Sequence, residues 1–343
     1  MVQKYQLGTF SIAGSQTIPG LVWGDKVVAL SALTGLASHL GCPLTPASTL
    51  LELLEHWDQN RLALDAVANA LEAGGDAVVS SVLDLAVPCT ALRTHAPLRP
   101  RQILCSGANY RKHVVDLIIG GEKARDPNRP VEEVRAEAEK IMDQRAASGR
   151  PFVFTETPSA IIGPYDPIVL PADVKQPDWE LELAAIIGRP ARRVSRADAL
   201  DYVAGYTIAN DITARDLVRR SDVGSLGADW LAAKCAPCFL PIGPYLTPRQ
   251  FVENPQDLRI TLKLNGDVMQ NESTADMIYS LAEIVEYLSN HIQLWPGDLI
   301  LTGSPAGNGA HYNRFMRDGD IIEGEITGLG IQRNHCVAEK APN

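Results

Sequence analysis

The strongest constraint on the fold is the density of short strand signals after residue 150. The runs FVFTET, PIVLP, WELELAAIIG, GYTIAND, LRITLKLNG, DLILTG and DIIEGEITGLG follow one another, separated by Gly, Pro, Asn and Asp. Short runs rich in β-branched and aromatic residues and bounded by turn formers suit a pleated, half-buried surface. Few helical patterns intervene, chiefly SRADALDYV and MIYSLAEIVEYLSNH. A doubly wound parallel sheet needs a helix between most strands. The pattern therefore predicts a β-rich domain, a barrel or rolled sheet. Its run LAAIIG is apolar on both faces, the mark of a strand covered on both sides.

The first hundred residues are organised differently. Residues 1–30 alternate short apolar runs with Gly and read as strands joined by tight turns. Leu50, Leu53, Leu54, Trp57, Leu62 and Leu64 then recur at helical spacing, and Gly74-Gly75 stops the run. The proline-bearing segment AVPCTALRTHAPLRPRQ reads as a linker. A small N-terminal α+β domain over 1–97 and a larger domain over 98–343 are expected; 343 residues exceed the usual ~100–150 of one domain. Within the larger part, YRKHVVDLII reads as a short helix, GGEKARDPNRP as a breaker and VEEVRAEAEKIMDQRAAS as a charged helix. Val131, Val134, Ala138, Ile141 and Arg145 trace a narrow stripe on that helix. The segment at about 117–150 is a helical insertion, either a solvated one or a lid over a neighbouring site.

Charge removes whole classes of function. With 31 Lys plus Arg against 41 Asp plus Glu, the net charge is −10. Non-specific nucleic-acid binding needs clustered Lys and Arg, and an anionic membrane surface is disfavoured on the same ground. No apolar run approaches the ~18–20 residues of a membrane span. The N-terminus shows no charged segment followed by an apolar core, so a cytoplasmic protein is expected. Six scattered Cys in a chain of this size read as reduced thiols. Cys235 and Cys238 form a lone CxxC, a weak zinc signal without a second pair or a nearby His.

Four elements can carry chemistry. In Trp179-Glu180-Leu181-Glu182-Leu183, strand period puts both carboxylates on one face, ~6.5–7 Å apart. The run GYTIAND ends on Asp211. Three converging carboxylates repel unless a cation sits between them, and hard oxygen ligands select Mg²⁺, Mn²⁺ or Ca²⁺ rather than Zn²⁺. On an exposed strand the same two glutamates would merely face water. His113 and Asp116 stand at i and i+3 on one helix face, where a carboxylate could orient an imidazole as general base. A strand then delivers Thr302 and Gly303 into a Gly-rich turn that offers N–H groups and a hydroxyl to an anion; it lacks the Gly-Lys-Ser/Thr of a phosphate loop. Lys234 lies among apolar neighbours, and a buried Lys needs a partner such as the acidic cluster or a substrate carboxylate.

In this order the elements resemble the fumarylacetoacetate hydrolase family, from about residue 98 to 337. The motifs are GxNYxxH at 107–113, DWExEL at 178–183, GYTxxNDxxARD at 205–216, the lysine segment with its Gly-Pro at 234–244, WPGDLILTGxPAGxG at 295–309 and GDxxExEIxGLGxxRN at 319–334. The resemblance implies a mixed β-roll with a smaller N-terminal domain, and a homodimer. It implies Glu180, Glu182 and Asp211 as Mg²⁺ or Mn²⁺ ligands, with His113 as general base and Asp116 completing its dyad. Lys234, Thr302 and Gly303 would hold the substrate's anionic end, with Tyr110 and Arg215 beside the site. Two positions depart from the family: Val218 stands where fumarylacetoacetate-cleaving members carry a polar amide, and Glu156 where Lys is common.

The implied reaction is hydrolysis of a C–C bond in a small 2-oxo or 2,4-dioxo acid. His113 would activate water against an acylpyruvate, and the metal would stabilise the enolate as pyruvate leaves. The same enolate serves two alternatives, a 2-oxo acid decarboxylase and an isomerase or tautomerase. A third alternative is a non-catalytic oxo-acid binder.

Overall fold

In the computed structural model, which describes residues 4–12, 15–222 and 227–340, the N-terminal part is a five-stranded antiparallel sheet. Its order is Val87–Pro88, Lys26–Ala29, Ile18–Trp23, Gln6–Ser11, Arg93–His95. Helices Leu30–His39, Leu50–Glu55, Trp57–Ala73 and Ala77–Leu83 cover it. The helical run expected across Leu50 to Leu64 breaks at His56. The Asn60 amide there donates to the Leu53 carbonyl at 2.8 Å. Helix Trp57–Ala73 stops at Gly74, whose φ is +63°.

The remainder holds two larger sheets. The six-stranded one runs Thr247–Pro248, Val203–Asn210, Leu181–Ile187, Leu299–Leu301, Ile103–Gly107, Phe152–Glu156. Its pairs are antiparallel except Leu299–Leu301 with Ile103–Gly107. The five-stranded one runs Asp267–Ser273, Arg259–Leu264, Ile321–Ile326, Gly330–Ala338, Ile168–Leu170. Leu181, Leu183, Ile208, Leu262, Ile322 and Ile326 share one core between the sheets. On the opposite face Ala184, Ile186 and Leu301 join Leu33, Leu53 and Trp57 of the N-terminal part. Leu181–Ile187 is thus covered on both faces, and all seven of its residues are buried. This is the strand-rich fold that the patterning predicts, with the mixed α+β character that the resemblance implies.

Between the first two strands of the larger part stands a helical hairpin, Arg111–Arg125 and Val131–Ser148. The first helix runs through Gly120-Gly121 rather than ending before them. Each Gly costs only about 1 kcal/mol in a helix interior, and Val114, Val115, Ala138 and Met142 pack the two helices together. Of the expected stripe on the second helix, Val134 and Ala138 are buried but Ile141 is 51% exposed, and Met142, outside that stripe, is buried instead. Helix Leu281–His291 starts from a capping box made by Ser280 and Glu283.

Candidate metal centre and proton-transfer site

The alternation in Trp179–Leu183 sends Leu181 and Leu183 into the core between the sheets and both glutamates to the other face. Asp211 reaches them through strand pairing: its N–H donates to the Glu180 carbonyl at 2.9 Å. One carboxylate oxygen from each of Glu180, Glu182 and Asp211 lies within 4.8 Å of the others. All three are buried, 8%, 2% and 2% exposed respectively.

Two cations are built into the cluster. The Lys234 ammonium, 1% exposed, stands 2.7 Å from Glu180 Oε2 and 2.7 Å from Asp211 Oδ1. It also donates to the Asp211 carbonyl at 2.9 Å. Arg215 bridges Glu180 to Asp178, its Nε 2.8 Å from Asp178 Oδ2. Burial opposes ionisation of Glu180, but Lys234 and Arg215 hold its carboxyl down at about 2. Burial and the charges of Asp211 and Glu180 push Glu182 well above the usual carboxylate range. Burial would lower Lys234, yet Asp211 and Glu180 outweigh it and keep the ammonium charged.

Sequence reasoning leaves Asp178 without a role. It accepts from the Ala310 N–H at 3.1 Å and from the Gly309 N–H, and so ties Arg215 to the turn after residue 303. Trp179 Nε1 donates to the Gly307 carbonyl at 3.0 Å. Gly307 has φ +98°, and a Cβ there would lie 2.1 Å from the Met269 carbonyl, so only glycine fits.

Thr302 and Gly303, expected to hold the substrate's anionic end, turn their donors onto the glutamate strand in this structure. The Thr302 hydroxyl donates to the Leu183 carbonyl at 2.8 Å. The Gly303 N–H donates to Glu182 Oε2 at 2.7 Å. These groups hold the glutamate strand and one of its carboxylates, so neither donor is free for an anion. Asn109 locks the same turn, donating to the Thr302 carbonyl at 2.8 Å and the Tyr279 carbonyl at 3.0 Å. Tyr110 is fully buried, and burial pushes its hydroxyl well above the ordinary range.

His113 enters from the hairpin, 8% exposed. Burial lowers its imidazole to about 4, against a partial opposing pull from Glu180. The expected dyad is not formed. No hydrogen bond joins His113 to Asp116 among the described residues. Asp116 lies instead 3.8 Å from His311 Nδ1 and 3.9 Å from Arg135 Nη2. The shared helix face of i and i+3 permits a pair, but neighbours from two other helices compete for the carboxylate. A cavity of about 460 Å³ opens here, lined by His113, Asp116, Leu117, Arg135, Asn308 and His311 among others. Val218, at the end of the short helix Arg215–Val218, does not line it.

Glu156 is a further buried carboxyl beside the cluster, and burial together with Asp211 pushes it well above the usual range. A second group of candidate ligands, Cys105 with Glu156, shares Asp211. Cys235 and Cys238 are free thiols and belong to no candidate metal group among the described residues.

The three carboxylates fit a hard divalent cation. They are buried, oxygen-only and convergent, and they already hold positive charge in the form of the Lys234 ammonium. Glu180, Glu182 and Asp211 would be its ligands.

The fumarylacetoacetate (FAA) hydrolase C-terminal family model matches residues 102–337. The mitochondrial oxaloacetate tautomerase FAHD2A of Bos taurus is 33% identical over 295 residues, 85% of this chain and 81% of the relative. A probable 2-hydroxyhepta-2,4-diene-1,7-dioate isomerase from Mycobacterium abscessus superposes with a TM-score of 0.66 at 28% identity, covering 98% of this chain and 100% of the other. The maleylpyruvate hydrolase of Sphingobium sp. SYK-6, solved with manganese(II) and pyruvate, gives a TM-score of 0.69 at 26% identity over 98% and 100% of the two chains. With its motifs in order and the family model spanning most of its length, the chain belongs to the fumarylacetoacetate hydrolase family.

Proposed function

We propose that the chain is a divalent-cation-dependent tautomerase that interconverts the keto and enol forms of a small 2-oxo acid. The observation that carries this reading is the state of His113: a buried, neutral imidazole beside the acidic cluster, with no carboxylate hydrogen-bonded to it. A neutral imidazole can take a proton from C3 and return it to the same carbon or to the enol oxygen. Activating water for C–C hydrolysis asks more of the base, and the carboxylate that would raise its basicity is turned toward His311 and Arg135, 3.8 and 3.9 Å away, instead. Mg²⁺ or Mn²⁺ held by Glu180, Glu182 and Asp211 would supply Lewis-acid stabilisation of charge developing on the 2-oxo oxygen. Lys234 adds positive charge to the same region, and Arg215 keeps Glu180 ionised and oriented. The names of the curated relatives support the tautomerase reading.

C–C hydrolysis is the second reading, favoured by the maleylpyruvate hydrolase likeness. It requires Asp116 to leave His311 and Arg135 for His113. Six free cysteines agree with a reducing compartment such as the cytoplasm, and no helix among the described residues is long and apolar enough to cross a membrane.

Two assays on the Mg²⁺- or Mn²⁺-loaded protein separate the readings. Enol absorbance of oxaloacetate should decay faster than the uncatalysed rate, without pyruvate or CO₂. Release of pyruvate and a second acid from acylpyruvates, with no effect on enol decay, would establish the hydrolase instead. CO₂ release from oxaloacetate would establish the decarboxylase.

His113→Ala should lower the tautomerisation rate by about 10²–10⁴-fold while leaving cation affinity within about threefold. In the wild type at saturating cation, rate should fall as pH drops through about 4, where the imidazole takes up a proton. An unshifted His would place that limb near pH ~6.5. A bound cation pushes it lower still, because like charge disfavours imidazolium. An acid limb near pH ~6.5 would contradict the buried neutral base.

A further inference from the structure

The cavity outside His113 has a chemical character that the proton transfer does not use. Several basic side chains of the neighbouring hairpin are paired. Arg111 meets Asp143, Arg129 holds Glu122 and Glu137, and Lys112 holds Glu272. Arg145 donates to the Ala108 carbonyl at 2.6 Å. Arg135 differs. Its guanidinium makes no hydrogen bond to any described residue, and its one ionic neighbour, Asp116, is 3.9 Å away. His311 stands likewise 3.8 Å from Asp116. Both separations exceed hydrogen-bond reach. The five N–H donors of a guanidinium suit a carboxylate, which accepts two of them side by side.

The packing fixes the helix that carries Arg135. Arg135 lies one turn before Ala138, and Ala138 and Met142 seat its helix on Val114 and Val115, which flank His113 and Asp116. Arg135 is therefore held over the same cavity whose inner end is His113. A 2-oxo acid anchored at the carboxylate cluster, with C3 presented to His113, directs its far end toward Arg135 and His311.

From this arrangement we infer that Arg135, assisted by His311, reads a second carboxylate on the substrate, so that the preferred substrates are 2-oxo dicarboxylates. Asp116 occupies the place of that carboxylate in the free protein and moves aside when the substrate arrives. The inserted hairpin then sets specificity, in addition to any closing motion. This inference rests on the proposed 2-oxo acid reaction and goes beyond it, since the cluster and His113 alone would serve a monocarboxylate equally well.

The test compares a 2-oxo dicarboxylate with a monocarboxylate, 2-oxoglutarate with 2-oxobutyrate, on the Mn²⁺-loaded protein. Calorimetry reads binding, and C3 hydrogen–deuterium exchange by ¹H NMR reads proton transfer. Wild type should prefer the dicarboxylate. Arg135→Ala should raise KM and Kd for it by about 10–100-fold, the worth of one or two charge-assisted hydrogen bonds. The same variant should leave kcat and the monocarboxylate within about threefold, and Arg135→Lys should recover part of the loss. Asp116→Asn removes the competing charge and should tighten dicarboxylate binding, a readout that survives if the Arg135 variants misfold. Equal losses on both ligands, or none on the dicarboxylate, overturn the inference. Wild-type exchange with equal affinity for both ligands overturns the subsite and keeps the reaction. Selective binding without exchange overturns the reaction and keeps the subsite. Binding of neither overturns both.

Discussion

Glu182→Gln should leave the cation-free protein about as stable as the wild type, yet remove its cation affinity and its activity. Burial, with Asp211 and Glu180 alongside, pushes Glu182 toward its protonated form. A protonated carboxyl and an amide have nearly the same shape, and the glutamine oxygen can accept the Gly303 N–H as Glu182 Oε2 does at 2.7 Å. The stability change should stay within about 1 kcal/mol, the worth of one ordinary hydrogen bond. Cation binding is another matter, because it demands the ionised carboxylate and must expel the proton. In the wild type, apparent cation affinity should therefore rise with pH; in the variant this dependence disappears along with the affinity. Lewis-acid stabilisation is worth several kcal/mol, and each 1.36 kcal/mol is tenfold, so activity should fall about 10³-fold or more. Calorimetric titration with Mn²⁺ and a thermal melt without cation read the two halves separately. Retained activity in the presence of a chelator would sink the cation assignment. A large loss of cation-free stability would show that Glu182 is ionised in the fold.

Much of this site was legible in the sequence because it depends on strand period. The alternation of Glu180 and Glu182 with Leu181 and Leu183 fixes the opposed faces whatever the partners are, and the two-faced apolar run that follows places the strand inside. Asp211 was legible as a carboxylate ending an apolar strand. That it meets Glu180 follows from antiparallel register, in which Leu181 faces Asn210. What period could not supply was the competition among polar groups. The sequence offers His113 and Asp116 a common helix face; in the fold the carboxylate turns toward Arg135 and His311, distant in the chain, and makes no hydrogen bond to His113. It likewise offers free donors at Thr302 and Gly303, which the fold turns inward onto Leu183 and Glu182. Gly120-Gly121 read as a helix stop because the packing of Val114 and Val115 on Ala138 and Met142 is not visible locally. Asp178 and Arg215 stand 37 residues apart in the chain, and only the fold shows that they form one ion pair reaching Glu180.

Lys234→Met should produce the largest loss of stability, and a divalent cation should reverse more of it than it adds to the wild type. Lys234 is the buried counter-charge of the cluster, touching Glu180 and Asp211 at 2.7 Å each. Methionine fills nearly the same volume without the charge, so cavity formation contributes little. What remains is an uncompensated pair of buried carboxylates, with Arg215 reaching only Glu180. Breaking a buried pair by removing one partner costs ~3–5 kcal/mol. Proton uptake by the orphaned carboxyls sets the low end of that range at neutral pH. At ~2–4 °C per kcal/mol for a chain of this size or somewhat smaller, the cation-free melting temperature should drop by roughly 6–20 °C. A ligand that binds only the folded state stabilises it by RT ln(1 + [L]/Kd), about 2.7 kcal/mol at a hundredfold excess over Kd. In the variant the cation meets carboxylates that no ammonium holds, so its affinity, and hence the rise in melting temperature, should exceed that of the wild type. Lys234→Arg cannot place a compact ammonium between the two oxygens and should recover little of the loss. Melts with and without Mn²⁺ decide the matter. A variant that melts like the wild type without cation would mean that the cluster is not held by Lys234. An equal cation shift in both proteins would mean that the cation binds elsewhere.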